Sequence, residues 1–466
     1  MRRRIRMRVG LMGAILLMGG CGWLAYRAIQ QENLNRQLIS AIKQNTFEHS
    51  RTQEVLACLQ HGADPNTRDE PYQATFSWNR LLILFGWRKA PAVSKQPALL
   101  LALEGDLKSA TDCFDHQTDP GIVKLLLHYK ANVNVKDRYG RTPLIAAFSP
   151  VPSALKQGMV ITFPNAECEL ALIAAGADVD ACDEYGYTVL MGNGWFYSSG
   201  NDPVESALLR RGANVNAQTP EGMTALICRA QIGNESVCQL LLDRGAEINH
   251  ADKYGSTALT AAAGSGNRHL VDMLLQRGAH VNANAGQSGT ALMRAASGMH
   301  NASGSVSIAA ENYCAIGRTL LQHGAIVDAR DKEGETALIH AAEAGNIPLV
   351  NTLLQQGANV NANRDHGRTA LMAAASGGHR AILRILLQHG AVIGSRDETD
   401  WTALTHAAFS ESEHSKICVQ LLLDRGAKIP GKDKQGDSLY SMLKDRGDAK
   451  SLAILRILKA HGMKAK

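Results

Sequence analysis

The chain has 466 residues, of which 45% are hydrophobic and 5% aromatic, and its formal net charge is +6. Five arginines lie within residues 1–8, and without them 44 basic side chains face 43 acidic ones. The rest of the chain is therefore nearly neutral, which argues against the basic surface of a nucleic-acid-binding protein. The number of residues would normally predict several domains, but a repeat array can accommodate that length as one continuous region.

Residues 1–29 are predicted to be an N-terminal membrane anchor or signal segment. An arginine-rich head precedes eighteen uncharged residues, 9–26, a charge asymmetry typical of membrane targeting. These residues just reach the length of a transmembrane helix, so a signal anchor is one interpretation. A second is a lipoprotein, because residues 17–21 resemble a bacterial cleavage box that would leave Cys21 lipidated. A cleaved, soluble form is a third. In the first two cases we expect the repeats to face the periplasm.

Residues 30–466 are predicted to form the second region, which begins with a helix pair ending near Gly62. An insertion at 67–96 follows and contains Phe76, Trp78 and Trp87. It could form a hairpin or helix that packs against the first repeats. It could instead expose an apolar patch to a membrane or partner.

A unit of two short helices recurs along this region, and residues 257–278 show it most clearly. Thr257 is a good N-cap, and a run of alanines then predicts a first helix. The segment 264–267 breaks the pattern, and four apolar residues in helical spacing predict a second helix that ends at Gly278. Glycine followed by alanine recurs with a base period of 33 residues, which is typical of an α-solenoid.

These units resemble the ankyrin repeat. Thr142-Pro143-Leu144 matches its Thr-Pro-Leu-His signature most fully, and Asn359-Val360-Asn361 matches its tail. The signature histidine is replaced throughout, by Thr260 for example, which we expect to remove a polar contact within the repeat. The resemblance implies an all-α ankyrin-repeat solenoid of about eleven helix pairs with short β-hairpin tips. We expect the pair at 438–462 to cap its end.

Three further insertions, near 148–164, 193–203 and 297–313, are expected to be loops. Insertions into solenoids map to loops and are often functional. Several of the nine cysteines occupy apolar positions of second helices, where we expect buried free thiols. A Cys228–Cys238 bridge is the alternative considered for that pair, and no cysteine spacing predicts a zinc site. Catalytic, metal-binding and phosphate-binding motifs are also missing from the sequence. We therefore expect no enzyme activity, no metal, no cofactor and no small-molecule substrate.

The resemblance also implies a binding surface, because ankyrin loop tips and first-helix ends line a concave face. Aromatic side chains are concentrated within two adjacent units, and such residues dominate interface hot spots. One hypothesis makes this cluster the main anchor for a protein partner. The alternative is that Trp195 and Phe196 fold back to fill space left by glycines. The predicted partner-binding residues are Tyr139, Tyr185, Tyr187, Trp195, Phe196, Tyr197, Arg294, His340, Trp401, His406 and Phe409.

The predicted function is therefore that of a non-catalytic protein–protein interaction scaffold in a bacterial cell envelope. The resemblance does not identify the partner. Two more specific alternatives remain open. One is a periplasmic immunity protein that neutralises a secreted toxin such as a lipase, and the other is an envelope stress-related accessory protein.

Overall fold

The computed structural model describes residues 27–28, 30–43, 48–68, 97–104, 119–137, 140–148, 166–192, 203–283, 289–298, 306–431, 433–435 and 437–463. The regular secondary structure of those residues consists of helices, and the β-structure among them is limited to isolated bridges. Two compact units are distinguished and are described separately below. The first comprises Met1–Phe196 with Asp202–Ala217, and the second comprises Tyr197–Asn201 with Gln218–Lys466.

The first unit contains seven helices among its described residues. First helices pack on first helices, as α3 does on α5, and second helices pack on second helices, as α2 does on α4 and α4 on α6. Residues 189–191, at the position that a first helix occupies in other repeats, form a turn. The helices are α1 (30–43), α2 (Glu48–Gln60), α3 (Ala98–Glu104), α4 (Pro120–His128), α5 (Pro143–Phe148), α6 (Ala166–Ala174) and α7 (Pro203–Arg210).

The second unit continues the same helix-pair arrangement. Its described helices are α8 (Ala225–Gln231), α9 (Glu235–Asp243), α10 (Ala258–Ser265), α11 (Arg268–Gln276), α12 (Ala291–Ser297), α13 (Val306–Gln322), α14 (Ala337–Ala344), α15 (Ile347–Gln355), α16 (Ala370–Gly377), α17 (Arg380–Gln388), α18 (Ala403–Phe409), α19 (Ser415–Asp424), α20 (Leu439–Arg446) and α21 (Ala449–Ala460). From α8 to α18 neighbouring first helices pack side by side, and each first helix of the unit packs on its own second helix. The predicted stack of helix pairs is confirmed.

The pair α10–α11 shows how the sequence sets these elements. The Thr257 hydroxyl accepts a hydrogen bond from the N–H of Thr260 at 3.3 Å, and the Asn267 side chain caps α11 in the same way. Leu270 and Leu274 are fully buried on the inner side of α11. The expected loss of the signature histidine's polar contact is wrong at this repeat. Thr260 replaces it, because its hydroxyl oxygen accepts from the N–H of Thr257 at 2.8 Å.

Asparagine and aspartate side chains in the repeat tails join successive repeats. In the first unit, Asn134 Oδ1 accepts from the backbone N–H of Asp178 at 2.8 Å. In the second, Asn361 Oδ1 accepts from the N–H of Val392 at 2.9 Å. Each such bond satisfies a backbone donor that the turn leaves unpaired. The repeated Asn and Asp positions are therefore a ladder of contacts between repeats.

The insertion near 297–313 is partly helical, which corrects the expectation of a loop. Helix α13 begins at Val306 and has 17 residues, whereas the other second helices of this unit have 9 to 12. Tyr313 in the added turns is buried, and its hydroxyl donates to the carbonyl oxygen of Gly264 at 3.1 Å. The added turns are thus tied to an earlier repeat. The insertions at 148–164, 193–203 and 67–96 lie almost entirely outside the described residues.

No described helix is both long and apolar enough to cross a membrane, and residues 1–26 lie outside the described part of the chain. The terminal pair α20–α21 forms as predicted, with Ile454 and Leu458 fully buried. Leu452 of the same helix is exposed.

The described cysteines are free thiols, so the alternative bridge between Cys228 and Cys238 does not form in this structure. Burial raises the pKa of Cys168 and of Cys238 to about 12, and that of Cys228 to about 11. Because the thiolate is the reactive and metal-binding form, these three side chains act as small hydrophobic residues. The prediction of buried thiols on second helices is confirmed for Cys168, Cys238 and Cys418, whereas Cys58 is only partly buried.

Candidate partner-binding surface

The predicted aromatic cluster falls only partly within the described residues. Tyr185 and Tyr187 lie on one tip of the first unit, and the backbone N–H of each donates to Asp183 Oδ1 at 2.9 Å. The Tyr185 side chain is 60% exposed. Four other members of the cluster, and the candidate lipidation site, lie outside the described residues; they are Tyr139, Trp195, Phe196, Tyr197 and Cys21. The cluster as a whole stays a prediction.

The structure brings together three predicted residues of the second unit in one aromatic group. The rings of Trp401 and Phe409 are stacked, with centroids 5.1 Å apart and an interplanar angle of 25°. The His406 ring meets Trp401 edge-on at 5.4 Å. Trp401 ends a tip, and the other two residues lie on α18 just behind it. This group, called the Trp401 cluster below, is partly exposed.

An aspartate holds the tip that carries Trp401. Asp397 Oδ1 accepts hydrogen bonds from the backbone N–H groups of Thr399 and Trp401, both at 2.9 Å. Its Oδ2 accepts from His406 Nε2 at 2.8 Å. Burial raises the pKa of the Asp397 carboxyl, but hydrogen bonds from Thr399, His406 and Trp401 outweigh burial and hold this pKa below its usual value. The carboxylate therefore keeps its charge and fixes the tip to the helix.

The His406 imidazole is neutral at neutral pH. Burial lowers its pKa below 6.5, Asp397 opposes that change, and two nearby arginines add to it. The Nε2–H group therefore donates to Asp397 Oδ2 and orients the ring beneath Trp401. The Trp401 cluster is consequently held in place from two sides, by stacking on Phe409 and by this hydrogen bond.

A groove of about 430 Å³ runs across three successive tips of the second unit. The first tip contributes Arg364 and Arg368, which are paired with Glu335 at 2.8 Å and with Glu343 at 2.9 Å. The second tip contributes Trp401, and the third contributes acidic side chains. The groove thus presents cationic, aromatic and acidic surfaces in that order. Its lining residues are Arg364, His366, Arg368, Asp397, Glu398, Thr399, Trp401, His406, Asp433, Gln435 and Asp437.

A backbone hydrogen bond connects the first two tips of the groove, and an aspartate side chain orders the third tip. The N–H of Glu398 donates to the carbonyl oxygen of His366 at 2.8 Å, and the exposed side chains of the two residues are in contact, with His366 Nδ1 2.6 Å from Glu398 Oε2. At the third tip, Asp433 Oδ1 accepts from the N–H groups of Gln435 and Asp437 at 3.0 and 2.9 Å. The polar side chains of the groove are therefore presented on a fixed backbone.

The other two predicted residues of this unit lie elsewhere on the repeats. Arg294 is exposed on α12 beside Gly264. His340 lies against two carboxylates, Asp331 and Glu335, in a group that the sequence did not predict. Short sequence motifs do not reveal this group, because Asp331 and Glu335 belong to a tip and His340 lies on α14, nine residues after Asp331. The Glu335 carboxylate also binds Arg364, which connects the group to the groove.

Chemically, the groove suits recognition of a polypeptide. Tryptophan and arginine are the residue types enriched at interface hot spots, and they stand here beside carboxylates of opposite charge. The sequence alone placed Trp401, His406 and Phe409 on the binding face. It gave no sign of Arg364, Asp433 or Asp437 as their neighbours, because that proximity depends on how successive tips stack.

Comparisons with known proteins agree with this architecture. A family model described as "Ankyrin repeats (3 copies)" matches residues that together extend from 158 to 433, more than half of the chain. The individual matches are 158–252, 196–285, 230–306, 283–364 and 361–433.

Curated relatives match a shorter part. Ankyrin repeat and SOCS box protein 6 from Homo sapiens is 32% identical over 116 residues, 24% of this chain and 25% of that protein. The same protein from Pongo abelii is 31% identical over 116 residues, with the same coverage. The chain thus spans about a quarter of the length of the curated relatives it matches. Among solved structures, the ankyrin repeat domain of human ASB11 is 24% identical with a TM-score of 0.40, and the match covers 48% of this chain and 93% of that one.

Proposed function

The chain belongs to the ankyrin-repeat family, whose repeats form protein–protein interaction scaffolds and are generally non-catalytic, and we propose that it binds its partner in the groove of the second unit. The observation that supports this proposal most directly is the Trp401 cluster. A large aromatic side chain is held partly exposed at the centre of a groove that has arginine side chains at one end and aspartate side chains at the other.

Preorganisation supports the same proposal. Binding loses free energy when side chains and loops must be ordered at the interface. Here Asp397 fixes the Trp401 tip, and the glutamate partners of Arg364 and Arg368 restrict both guanidinium groups. A partner can therefore dock against groups that already occupy their positions, and little ordering entropy is lost.

The charge order of the groove defines the kind of segment that fits it. An acidic residue of the partner would face Arg364 and Arg368, an apolar or aromatic residue would pack on Trp401, and a basic residue would face Asp433 and Asp437. Such complementarity accelerates association and excludes partners of the opposite polarity. We propose a polypeptide segment with this order as the ligand.

A membrane location is a further part of the proposal, and it is supported by the sequence. Residues 2–8 carry five arginines, and residues 9–26 carry no charge, which suits an anchor whose head remains in the cytoplasm. The repeats would then face the periplasm of a bacterium. An enzyme reporter that works only in the periplasm, fused after Lys466, should be active. An inactive fusion at normal expression would refute this orientation.

The groove is tested by affinity capture from detergent-solubilised membranes with matched charge reversals. Asp437→Lys alters the groove, whereas Asp424→Lys makes the same change on an exposed position at the end of α19. We expect D437K and Trp401→Ala to reduce the retained partner at least tenfold, and D424K to retain it. Equal retention by all three variants would refute the groove as the binding site, as would a comparable loss from D424K.

A further inference from the structure

We propose that Asp331, Glu335 and His340 form a binding site for a zinc ion. One ligand atom from each residue lies within 4.8 Å of the others. His340 Nε2 is 3.2 Å from Asp331 Oδ2 and 3.5 Å from Glu335 Oε2. Zinc bonds of about 2.0–2.2 Å in a tetrahedral arrangement place neighbouring ligand atoms roughly 3.3–3.6 Å apart. Both separations lie close to this range, and the shorter one is a hydrogen bond that the ion would replace.

Each carboxylate accepts hydrogen bonds from the protein with one oxygen, and its other oxygen faces His340. Asp331 Oδ1 accepts from the backbone N–H groups of Glu335 at 2.8 Å and Glu333 at 3.1 Å. Glu335 Oε1 accepts from Arg364 Nη1 at 2.8 Å. Outer-shell hydrogen bonds of this kind orient metal ligands and fix their geometry. The oxygens directed at His340 are therefore Asp331 Oδ2 and Glu335 Oε2.

The ligand set selects the class of metal. An imidazole nitrogen suits zinc and other first-row transition metals, whereas calcium and magnesium favour sites made of oxygen ligands. Two carboxylates and the Arg364 guanidinium leave a local charge of about −1, which favours a divalent cation. The His340 side chain is 20% exposed, so solvent reaches the group. Binding takes the neutral imidazole with its proton on Nδ1.

A second histidine in the same unit provides an internal comparison. His406 and Asp397 repeat the nine-residue spacing of His340 and Asp331, at 2.8 Å. Four residues after the aspartate, the Asp397 pair has Trp401, whereas the Asp331 pair has Glu335. An aspartate–histidine pair alone therefore serves to fix a tip to its helix. The additional carboxylate of Glu335 distinguishes the proposed zinc site.

Zinc binding should be measured on the full chain, purified in mild detergent without a histidine tag and with its accessible thiols alkylated. Equilibrium dialysis against ZnCl₂ followed by metal analysis gives the stoichiometry. We expect the wild-type chain and His406→Gln to bind one more zinc ion per chain than His340→Gln or Glu335→Gln. Far-UV circular dichroism of the metal-free variants checks that each is folded.

Cobalt substitution gives an independent readout. Co²⁺ at this site should show visible d–d bands without thiolate charge-transfer absorption, and H340Q should lose those bands. The proposal is overturned if wild-type and H340Q bind the same amount of zinc. It is also overturned if E335Q binds as much zinc as the wild-type chain, because the site would then not depend on Glu335, or if H406Q loses the ion as H340Q does, because the loss would then not be specific to His340.

Discussion

Replacing Gly298 with alanine tests how the extended helix α13 is held against the preceding helices. Gly298 has a right-handed backbone, with φ −60° and ψ −22°, so an alanine can adopt its conformation. A Cβ at this position would lie 2.9 Å from Tyr313 Cδ1 and closer still to Cε1 and Cζ of the same ring. The buried ring, which also donates a hydrogen bond to Gly264, must therefore move.

The magnitude follows from three effects. Alanine is favoured over glycine in a helix by about 1 kcal/mol. Overpacking a buried contact opposes this by about 1–3 kcal/mol, and loss of the Tyr313–Gly264 hydrogen bond adds about 1 kcal/mol. We expect Gly298→Ala to lower the free energy of unfolding by roughly 1–3 kcal/mol. Gly394→Ala is the matched control, because nothing lies within 4 Å of its added Cβ.

Urea unfolding followed by circular dichroism measures the effect as a shift of the midpoint. In a Tyr313→Ala background the clash is absent, so there the change at Gly298 should be neutral or stabilising. The reasoning is refuted if G298A alone is as stable as the wild type. It is equally refuted if G298A destabilises the Y313A chain as much as it destabilises the wild type.

Three further predictions concern single contacts. Arg141→Met should lower the free energy of unfolding by about 3–5 kcal/mol, since it removes the buried guanidinium whose Nε–H donates to Asp137 Oδ2 at 2.8 Å. Chemical denaturation of the full chain measures this change. The pKa of His406 is lowered from 6.5. The stabilising contribution of the neutral ring is therefore complete above pH 6.5 and is lost as the pH falls toward the folded-state pKa. Between pH 7 and 5, the free energy of unfolding of the wild-type chain should fall more steeply than that of His406→Gln. Asn361→Ala should cost about 0.5–1.5 kcal/mol by removing the exposed hydrogen bonds to the Val392 N–H and the Gly390 carbonyl oxygen. Asn361→Asp keeps the acceptor for Val392 and should cost less in the same unfolding assay.

Much of the fold could be predicted because each repeat contains its own local signals. Thr257 caps α10, Asn267 caps α11 and Gly278, with φ +90°, ends the second helix. These signals act within a few residues, so one sequence suffices to recognise them. The asparagine and aspartate tails were recognisable as a pattern, but their role in joining repeats became clear only from hydrogen bonds such as Asn361 to Val392.

The features that the sequence did not predict depend on contacts between distant residues. The insertion near 297–313 was expected to be a loop, yet Val306 begins a helix whose Tyr313 reaches Gly264, 49 residues earlier. The site at His340 likewise joins a tip to the helix behind it, and Arg364 reaches that site from the next repeat. Such neighbours are set by the stacking of repeats, which leaves no short motif in the sequence.

Site-specific photo-crosslinking tests the central claim most directly, because it reports which surface contacts the partner. A photoreactive residue replaces Gln435, which lines the groove, or Gln388, which is exposed at the end of α17. If the groove binds a protein, irradiation in intact cells should attach the same partner band to the Gln435 variant and none to the Gln388 variant. A band from Gln388 alone, or bands of equal strength from both positions, would contradict this account.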